Sequence, residues 1–416
     1  MIGSVLALAL VAGGIVFALT AGSSGSGSSG SGSDKPSDAL GVAWQSAELP
    51  RSTASFGSSV QWPARWTRGS VLAYGDEHGV RGYDLATGTQ KWRVEPPKGA
   101  GEPCAMSPRV SLKGVGAVLF DAGGDDCSYL AAVDIDTGSV LWAKKVATQY
   151  GANAPQVHVG TKSITVGLNT TESVQTFDVQ SGAAADPLAG APVNCRYSYV
   201  FSAEHIVAKP QCRNELVVLD TQYGGSPRTV SDQGGEPIAI LNDHPLTVAV
   251  RTGEGDSGPP RVLNFDKEGR NATSVNLTGK AAELVFKDKE DAFTEKGLFF
   301  GKVRDGSTVV ADLTSGKVVW EGRAGSASFI GYEPLGNRVV IAESDPQKAY
   351  WTRVGALDPA TGKLAYAGTM VMPDGGYLHR SGTLYAYDSG KVVSVGERAS
   401  DGKRLMVTFT APLPRS

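Results

Sequence analysis

Residues 132–142 read AVDIDTGSVLW: an apolar run that stops at Asp134, a short polar turn ending in Gly138, and a second apolar run closed by Trp142. The carboxylate of such an Asp can accept hydrogen bonds from the backbone N–H groups of the turn that follows, and glycine takes the positive φ that reverses the chain. The residues on either side are strand formers. The same phrase returns as YDLATGTQKW (83–92), ADLTSGKVVW (311–320) and LDPATGKLAY (357–366). Weaker copies are FDVQSG ending at Gly182, LDTQYG at Gly224, FDKEG at Gly269 and ASDG at Gly402. Eight glycines are thereby set out along the chain, at 88, 138, 182, 224, 269, 316, 362 and 402. An Asp stands four residues before six of them: Asp84, Asp134, Asp178, Asp220, Asp312 and Asp358. An aromatic residue stands four after Gly88, Gly138, Gly316 and Gly362, namely Trp92, Trp142, Trp320 and Tyr366.

Between these turns lie short β-rich runs such as VLAY, AVLF, LVVL, LTVAV and RVVIA, with no long stretch of helical periodicity. A repeat of about 40–50 residues with about four short strands is the size of one propeller blade, whose sheet faces are buried against the blades beside it. The fold class predicted is all-β, an eight-bladed β-propeller, with seven blades as the alternative. The count turns on the ends of the chain. Residues 42–49, VAWQSAEL, look like an outer strand without a turn of their own, and residues 403–410, KRLMVTFT, follow Gly402 as another. Both ends are expected to contribute to the last blade, pairing so that the ring closes and its edges are covered.

The pattern Ala-x-Asp-x-x-Thr-Gly-x-x-x-Trp resembles the tryptophan-docking motif of quinoprotein-dehydrogenase-like, or PQQ-like, β-propellers, and residues 132–142 match it at every specified position. The resemblance runs over residues 42–411. It implies that each aromatic packs over the glycine of an adjacent blade. It says less about function, because the same repeat serves quinone-dependent dehydrogenases and noncatalytic scaffolds. Enzymes of this family are expected to hold the quinone between a tryptophan and a vicinal Cys-Cys disulfide, with calcium and a catalytic Asp nearby. This sequence has no adjacent cysteines. A WD-repeat propeller has a similar period, but the chain has no Trp-Asp and no Gly-His dipeptide.

Other chemistry is sparse. The histidines at 78, 158, 205, 244 and 379 stand apart in sequence, without a zinc-binding His pair. No nucleophile elbow and no phosphate-binding loop is present. Asp121, Asp125 and Asp126 gather carboxylates on a Gly-rich loop, but their spacing does not fit a calcium loop, and a solvated turn is the expectation. The sequons at Asn169, Asn271 and Asn276 read as surface turns. The repeat Asp residues recur with their turns and are assigned a structural role. Lys and Arg number 39 against 42 Asp and Glu, a net charge of −3, which leaves a nucleic-acid binder without its electrostatic basis. Glycine, 53 of 416 residues, is nearly twice the usual ~7%, as a turn-rich repeat requires.

Residues 2–21 hold no charged side chain over about the ~20 residues that a membrane-spanning helix needs. Residues 1–21 are therefore read as a transmembrane anchor, with a cleaved signal segment as the rival reading. The basic flank that would orient an anchor is missing, which points to residues upstream in the natural product. No Cys follows the apolar run, so a lipid anchor is not expected. Residues 22–39 form a linker whose GSSGSGSSGSGS core has nothing to bury and an r.m.s. reach of roughly 20 Å. The propeller domain then occupies 40–416.

The four cysteines add a compartment. Cys104 and Cys127 open the first and third strands of one blade, and Cys195 and Cys212 stand in nearly equivalent places two blades on. Antiparallel order sets those strand starts at one edge, so Cys104–Cys127 and Cys195–Cys212 are the preferred bridges among three connectivities, against a set of free thiols. Bridges agree with export to an oxidising compartment. The sequence therefore predicts a monomeric, membrane-tethered, extracytoplasmic propeller of the bacterial cell envelope that acts as a protein-binding, scaffold or sensor module, without cofactor, metal or catalytic residues. A PQQ-dependent dehydrogenase with a central quinone and calcium site is the alternative.

Overall fold

The computed structural model describes residues 36–49, 65–76, 78–121, 127–146, 156–167, 174–185, 195, 197–213, 215–221, 227–231, 235–251, 258–269, 271–286, 293–322, 327–332, 338–345, 348, 351–372, 384–388 and 390–413. The anchor or signal reading of 1–21, the linker as far as residue 35, Gly224, Asp125, Asp126, Asn169 and His379 lie outside these residues. Among the described residues no helix is long and apolar enough to cross a membrane.

The described strands form eight four-stranded antiparallel sheets. Blades 1 to 7 are each continuous in sequence, with strands inside 66–94, 103–145, 156–185, 197–231, 236–276, 293–322 and 327–370. Blade 8 is shared by the two ends: Leu384–Asp388, Lys391–Glu397 and Arg404–Thr410 come from the C-terminal end, and Gly41–Gln45 adds the outermost strand. That strand pairs antiparallel with Arg404–Thr410 in the register Val42 with Phe409 and Trp44 with Thr408. Leu40 is held just before it, donating its N–H to Thr369 O in blade 7 at 2.8 Å. The ring is thus closed by a pairing between residues more than 360 apart in sequence.

One expectation is corrected here. Residues 403–410 supply the third strand of blade 8, not its outer one, and Gly402 lies in the turn between second and third strands. In the other blades the repeat glycine lies between third and fourth. The resemblance has a physical source: Gly402 N bonds Arg398 O and Arg398 N bonds Lys403 O, both at 2.8 Å, the same backbone closure that joins Gly88 to Asp84 and Asp84 to Thr89. A reversal of this type asks for glycine at either edge of a blade.

First strands of neighbouring blades touch one another around the axis, as 103–106 touches 156–159 and 197–201 touches 236–243. Second strands are the most buried; Val71–Asp76, Val115–Phe120 and Leu246–Arg251 are buried at every residue. Both faces of such a strand are covered by adjacent blades, which is why the sequence there is mostly apolar on both faces and not alternating. Fourth strands, such as Gln90–Val94 and Val140–Lys145, are largely exposed. The core is accordingly divided. Each apolar cluster lies between two consecutive blades, such as Val80, Val94, Met106, Val118 and Ile135 between blades 1 and 2.

Candidate functional site

The turns between first and second strands and those between third and fourth strands emerge on the same face of the ring. In the latter the repeat Asp shapes the turn. Asp134 Oδ1 accepts from Asp136 N and Thr137 N, both at 2.9 Å, and from Thr137 Oγ1 at 3.0 Å, while Gly138 N donates to Asp134 O at 2.8 Å. Asp84 and Asp178 repeat the pattern with Ala86 and Thr87, and with Gln180 and Ser181. Asp312 and Asp358 take N–H bonds from Thr314 and Ala360. The hydrogen bonds from Ser181 hold the Asp178 carboxyl below its ordinary range. At Asp84 desolvation pushes the other way, and the bonds from Thr87 and Ala86 outweigh it.

Three seams between blades repeat a second contact. Trp44, Trp92 and Trp142 each cross from an outer strand to the next blade and donate Nε1–H to the carbonyl one residue past a repeat Asp position: Leu85 O at 2.9 Å, Ile135 O at 2.9 Å and Val179 O at 3.0 Å. Their rings cover Gly88, Gly138 and Gly182. A Cβ at Gly138, whose φ is +71°, would stand 2.5 Å from the Trp92 ring, so both the conformation and the close approach require glycine.

Other seams are made differently. Arg228 of blade 4 lies over Gly269, donating to Glu268 O at 2.9 Å and to Asp220 Oδ1 at 2.6 Å. Backbone oxygens of Asn276 and Val319 close onto Gly316 and Gly362. Trp320 turns back over Gly322 of its own blade. Tyr366 donates its hydroxyl to Glu343 within blade 7 and lies under Arg353, whose Cζ is 3.5 Å from the ring centroid. The two aromatics therefore leave the role that the repeat implied for them.

Both bridges join strand starts within a blade. Cys104–Cys127 has Cα atoms 6.0 Å apart and Cys195–Cys212 has them 5.8 Å apart. These bridges span 23 and 17 residues of sequence and neither is vicinal. Near the axis, Arg109 of blade 2 donates Nη2–H to Thr294 O of blade 6 at 3.0 Å. Blades 2 and 6 stand opposite each other, so this side chain crosses the ring. Without a vicinal disulfide, and with an arginine laid across the axis, these residues do not fit the quinone cradle that the family's enzymes imply.

Two histidines that stand apart in sequence meet in the structure. His205 opens the second strand of blade 4 and His244 stands in the turn between the first and second strands of blade 5, and their rings are 5.7 Å apart, edge to face. His205 Nδ1 lies 2.9 Å from Asp243 Oδ1 and its Nε2 3.3 Å from Asp220 Oδ1. His244 Nε2 is 2.5 Å from Glu204 Oε2. Glu204 Oε1 also accepts from Thr161 N at 2.9 Å and Thr161 Oγ1 at 2.8 Å in blade 3. Burial pushes the Glu204 carboxyl upward, but the bonds from His244 and Thr161 win and its pKa is lowered. Among the described residues no group of three His, Cys, Asp or Glu side chains is arranged to hold a metal ion.

A different surface lies on blade 2. Leu112, Val140 and Leu141 are the exposed large hydrophobics among the described residues, with Leu112 87% exposed. Arg68 of blade 1 ties two of its turns together, donating to Lys113 O at 3.2 Å and Leu112 O at 3.3 Å and pairing with Asp136 of the neighbouring turn.

Residues 52–184 match the PQQ-repeat family described as outer membrane protein assembly factor BamB, about a third of the chain. No curated protein matches the sequence. Among solved structures, the computationally designed Ika8 protein is 16% identical over 87% of this chain and 99% of its own, with a TM-score of 0.53. The C-terminal WD40 domain of Sif2 is 12% identical over 89% of this chain and 98% of its own, at 0.51. BamB from Moraxella catarrhalis is 16% identical over 89% and 99%, at 0.47. At such identities the likeness concerns the fold. Together with the indole-on-glycine seams and the matched segment, the eight-sheet ring makes this chain a β-propeller with PQQ-like repeats.

Proposed function

We propose that the chain is a noncatalytic protein-binding propeller of the cell envelope, tethered through residues 1–21 and the linker 22–39 with the ring on the extracytoplasmic side, acting as a scaffold or sensor. The observation that carries this reading is the grouping of Leu112, Val140 and Leu141 on one blade. Exposed apolar side chains carried by one blade favour a protein contact. They also fall inside the segment that matches an assembly-factor family. Two disulfides support an oxidising compartment.

A photocrosslinking residue placed at Leu112 tests the reading in native membranes, with Lys267 on blade 5 as the control position. A discrete adduct from position 112, lost in Val140→Asp and Leu141→Asp and absent from position 267, is the expected result. Equal labelling from both positions, or none, overturns it. Titration of the purified chain with PQQ and calcium, followed by absorbance, is expected to give no saturable spectral change.

A further inference from the structure

The seam between blades 3 and 4 is built unlike its neighbours. Its apolar cluster sets Val174 alone from blade 3 against Phe201, Ile206, Val217 and Leu219 of blade 4. The seam before it has Val157, Val159, Ile164, Val166, Phe177 and Val179 on the blade 3 side alone. Beside the thin cluster is a cavity of about 120 Å³ lined by Ser163, Thr176, Phe177, Ala185 and Thr221, with Lys162 and Asp178 at its rim. That is ample room for a side chain or several waters.

The phase of the repeat says what the cavity corresponds to. Thr176 stands two residues before the repeat Asp178, as Gly82 stands two before Asp84. Thr221 stands one after Asp220, as Ile135 stands one after Asp134. Between blades 1 and 2 those two positions hold Trp92: its ring lies against Gly82, and its N–H reaches Ile135 O. The cavity therefore lies where an indole sits in the regular seams. The sequence explains the difference. Four residues after Gly182 the chain has Asp186 in place of tryptophan, and the described residues of the fourth strand are Ala184–Ala185, pairing with Phe177 and Thr176.

We infer that this slot receives an aromatic side chain, indole before phenol, presented by a partner protein. The inference rests on the reading of the chain as a protein-binding propeller, but it assigns a contact separate from the blade 2 surface. Phe177 offers an apolar wall, and the hydroxyls of Ser163, Thr176 and Thr221 are already satisfied by Ala203 O, Ala185 O and one another, so they line the slot without a donor left to compete for the Thr221 carbonyl. The Thr221 carbonyl is the counterpart of the three that accept indole N–H groups elsewhere in the ring. A tryptophan pairs a large apolar body with one donor, which is the chemistry repeated at those seams.

The test uses a labelled peptide copying residues 138–146, GSVLWAKKV, titrated into the full chain by fluorescence anisotropy, beside the same peptide with alanine in place of its tryptophan. The tryptophan peptide is expected to bind saturably and the alanine peptide at least about tenfold more weakly. Asp186→Trp, which supplies the indole from within, is expected to abolish binding and to raise the melting temperature. Thr176→Met fills the slot from its floor and is expected to weaken binding about tenfold even where Asp186→Trp fails to fold. Equal binding of the two peptides, no binding of either, or an unchanged affinity in the folded variants overturns the inference; the last would mean that the peptide binds elsewhere. Loss of the position 112 adduct with peptide binding intact would instead strike the blade 2 reading alone.

Discussion

The arc from blade 8 to blade 3 and the arc from blade 4 to blade 7 complete the same ring with different chemistry. In the first, one device is used three times: an outer-strand tryptophan over a glycine, its N–H on the carbonyl past the repeat Asp position. In the second, an arginine and two backbone oxygens cover the corresponding glycines. The family match lies within the first arc, at 52–184, and the indole-sized cavity and the paired histidines follow where the regular device stops. Strict repetition thus marks the seams that share one packing device, and the exposed Leu112, Val140 and Leu141 lie in that arc but outside its seams. Departures from it free side chains for other contacts.

The largest effect that tests this division is expected at the start of the regular arc. Deleting residues 40–49 removes Leu40, Trp44 and Leu49, which are 7%, 5% and 6% exposed, together with the strand that covers Arg404–Thr410. At roughly 1.5–3 kcal/mol for each buried side chain, and with a strand edge left open, a loss of about 5 kcal/mol or more is expected in thermal unfolding followed by circular dichroism. An unchanged midpoint would show that the ring is not closed by this pairing.

Next comes a direct comparison of seams. Trp142→Ala is expected to cost about 3–5 kcal/mol, since it removes a large side chain wedged between blades 2 and 3 and leaves a cavity. Arg228→Ala, at the seam between blades 4 and 5, removes two hydrogen bonds from a side chain 25% exposed and is expected to cost about 1–2 kcal/mol. Denaturant unfolding of both variants measures the gap. Equal losses would mean that the two arcs differ in appearance and not in energetics.

What was legible in the sequence was local. Asp134 and Gly138 act within one turn, so their identities reveal the reversal, and a tryptophan in a run without its own turn, Trp44, revealed the closing strand. Gly402 was misassigned because an Arg398 reversal closes with the same backbone bonds as an Asp84 reversal. His205 and His244 were missed because 39 residues separate them and they do not share a phase of the repeat: His205 opens a second strand, whereas His244 lies in the turn before one. Arg109 and Thr294 are 185 residues apart, and nothing in the period marks an arginine long enough to cross the axis.

The bridges allow a third contrast, of intermediate size. Replacing Cys104 and Cys127 together by serine frees a loop of 23 residues and is expected to cost about 3 kcal/mol through the unfolded chain. Cys104 and Cys127 are 6% and 1% exposed, whereas Cys212 is exposed. Access governs thiol exchange, so mild reductant should open Cys195–Cys212 first in nonreducing peptide maps. The reverse order would show that the first-arc bridge is the more accessible one in solution.

The smallest effect concerns the irregular arc itself and has a definite dependence on pH. Glu204 joins three blades: it lies in blade 4, accepts from Thr161 in blade 3 and meets His244 of blade 5. Its side chain is 9% exposed and its pKa is lowered from the ordinary 4.5. A carboxyl with a depressed pKa in the folded state stabilises that state fully above the unfolded value, and the contribution is lost as pH falls through the folded value. Glu204→Gln keeps the shape and removes the charge, so it is expected to lower stability by about 1–2 kcal/mol at neutral pH. The gap between the two proteins should then close below pH 4.5, as protonation makes the natural side chain neutral too. Denaturant midpoints for the pair between pH 7 and pH 3 measure this. A gap that stays constant across that range would show that the carboxylate charge does not tie these blades together, and that the polar bonds of this arc act by geometry alone.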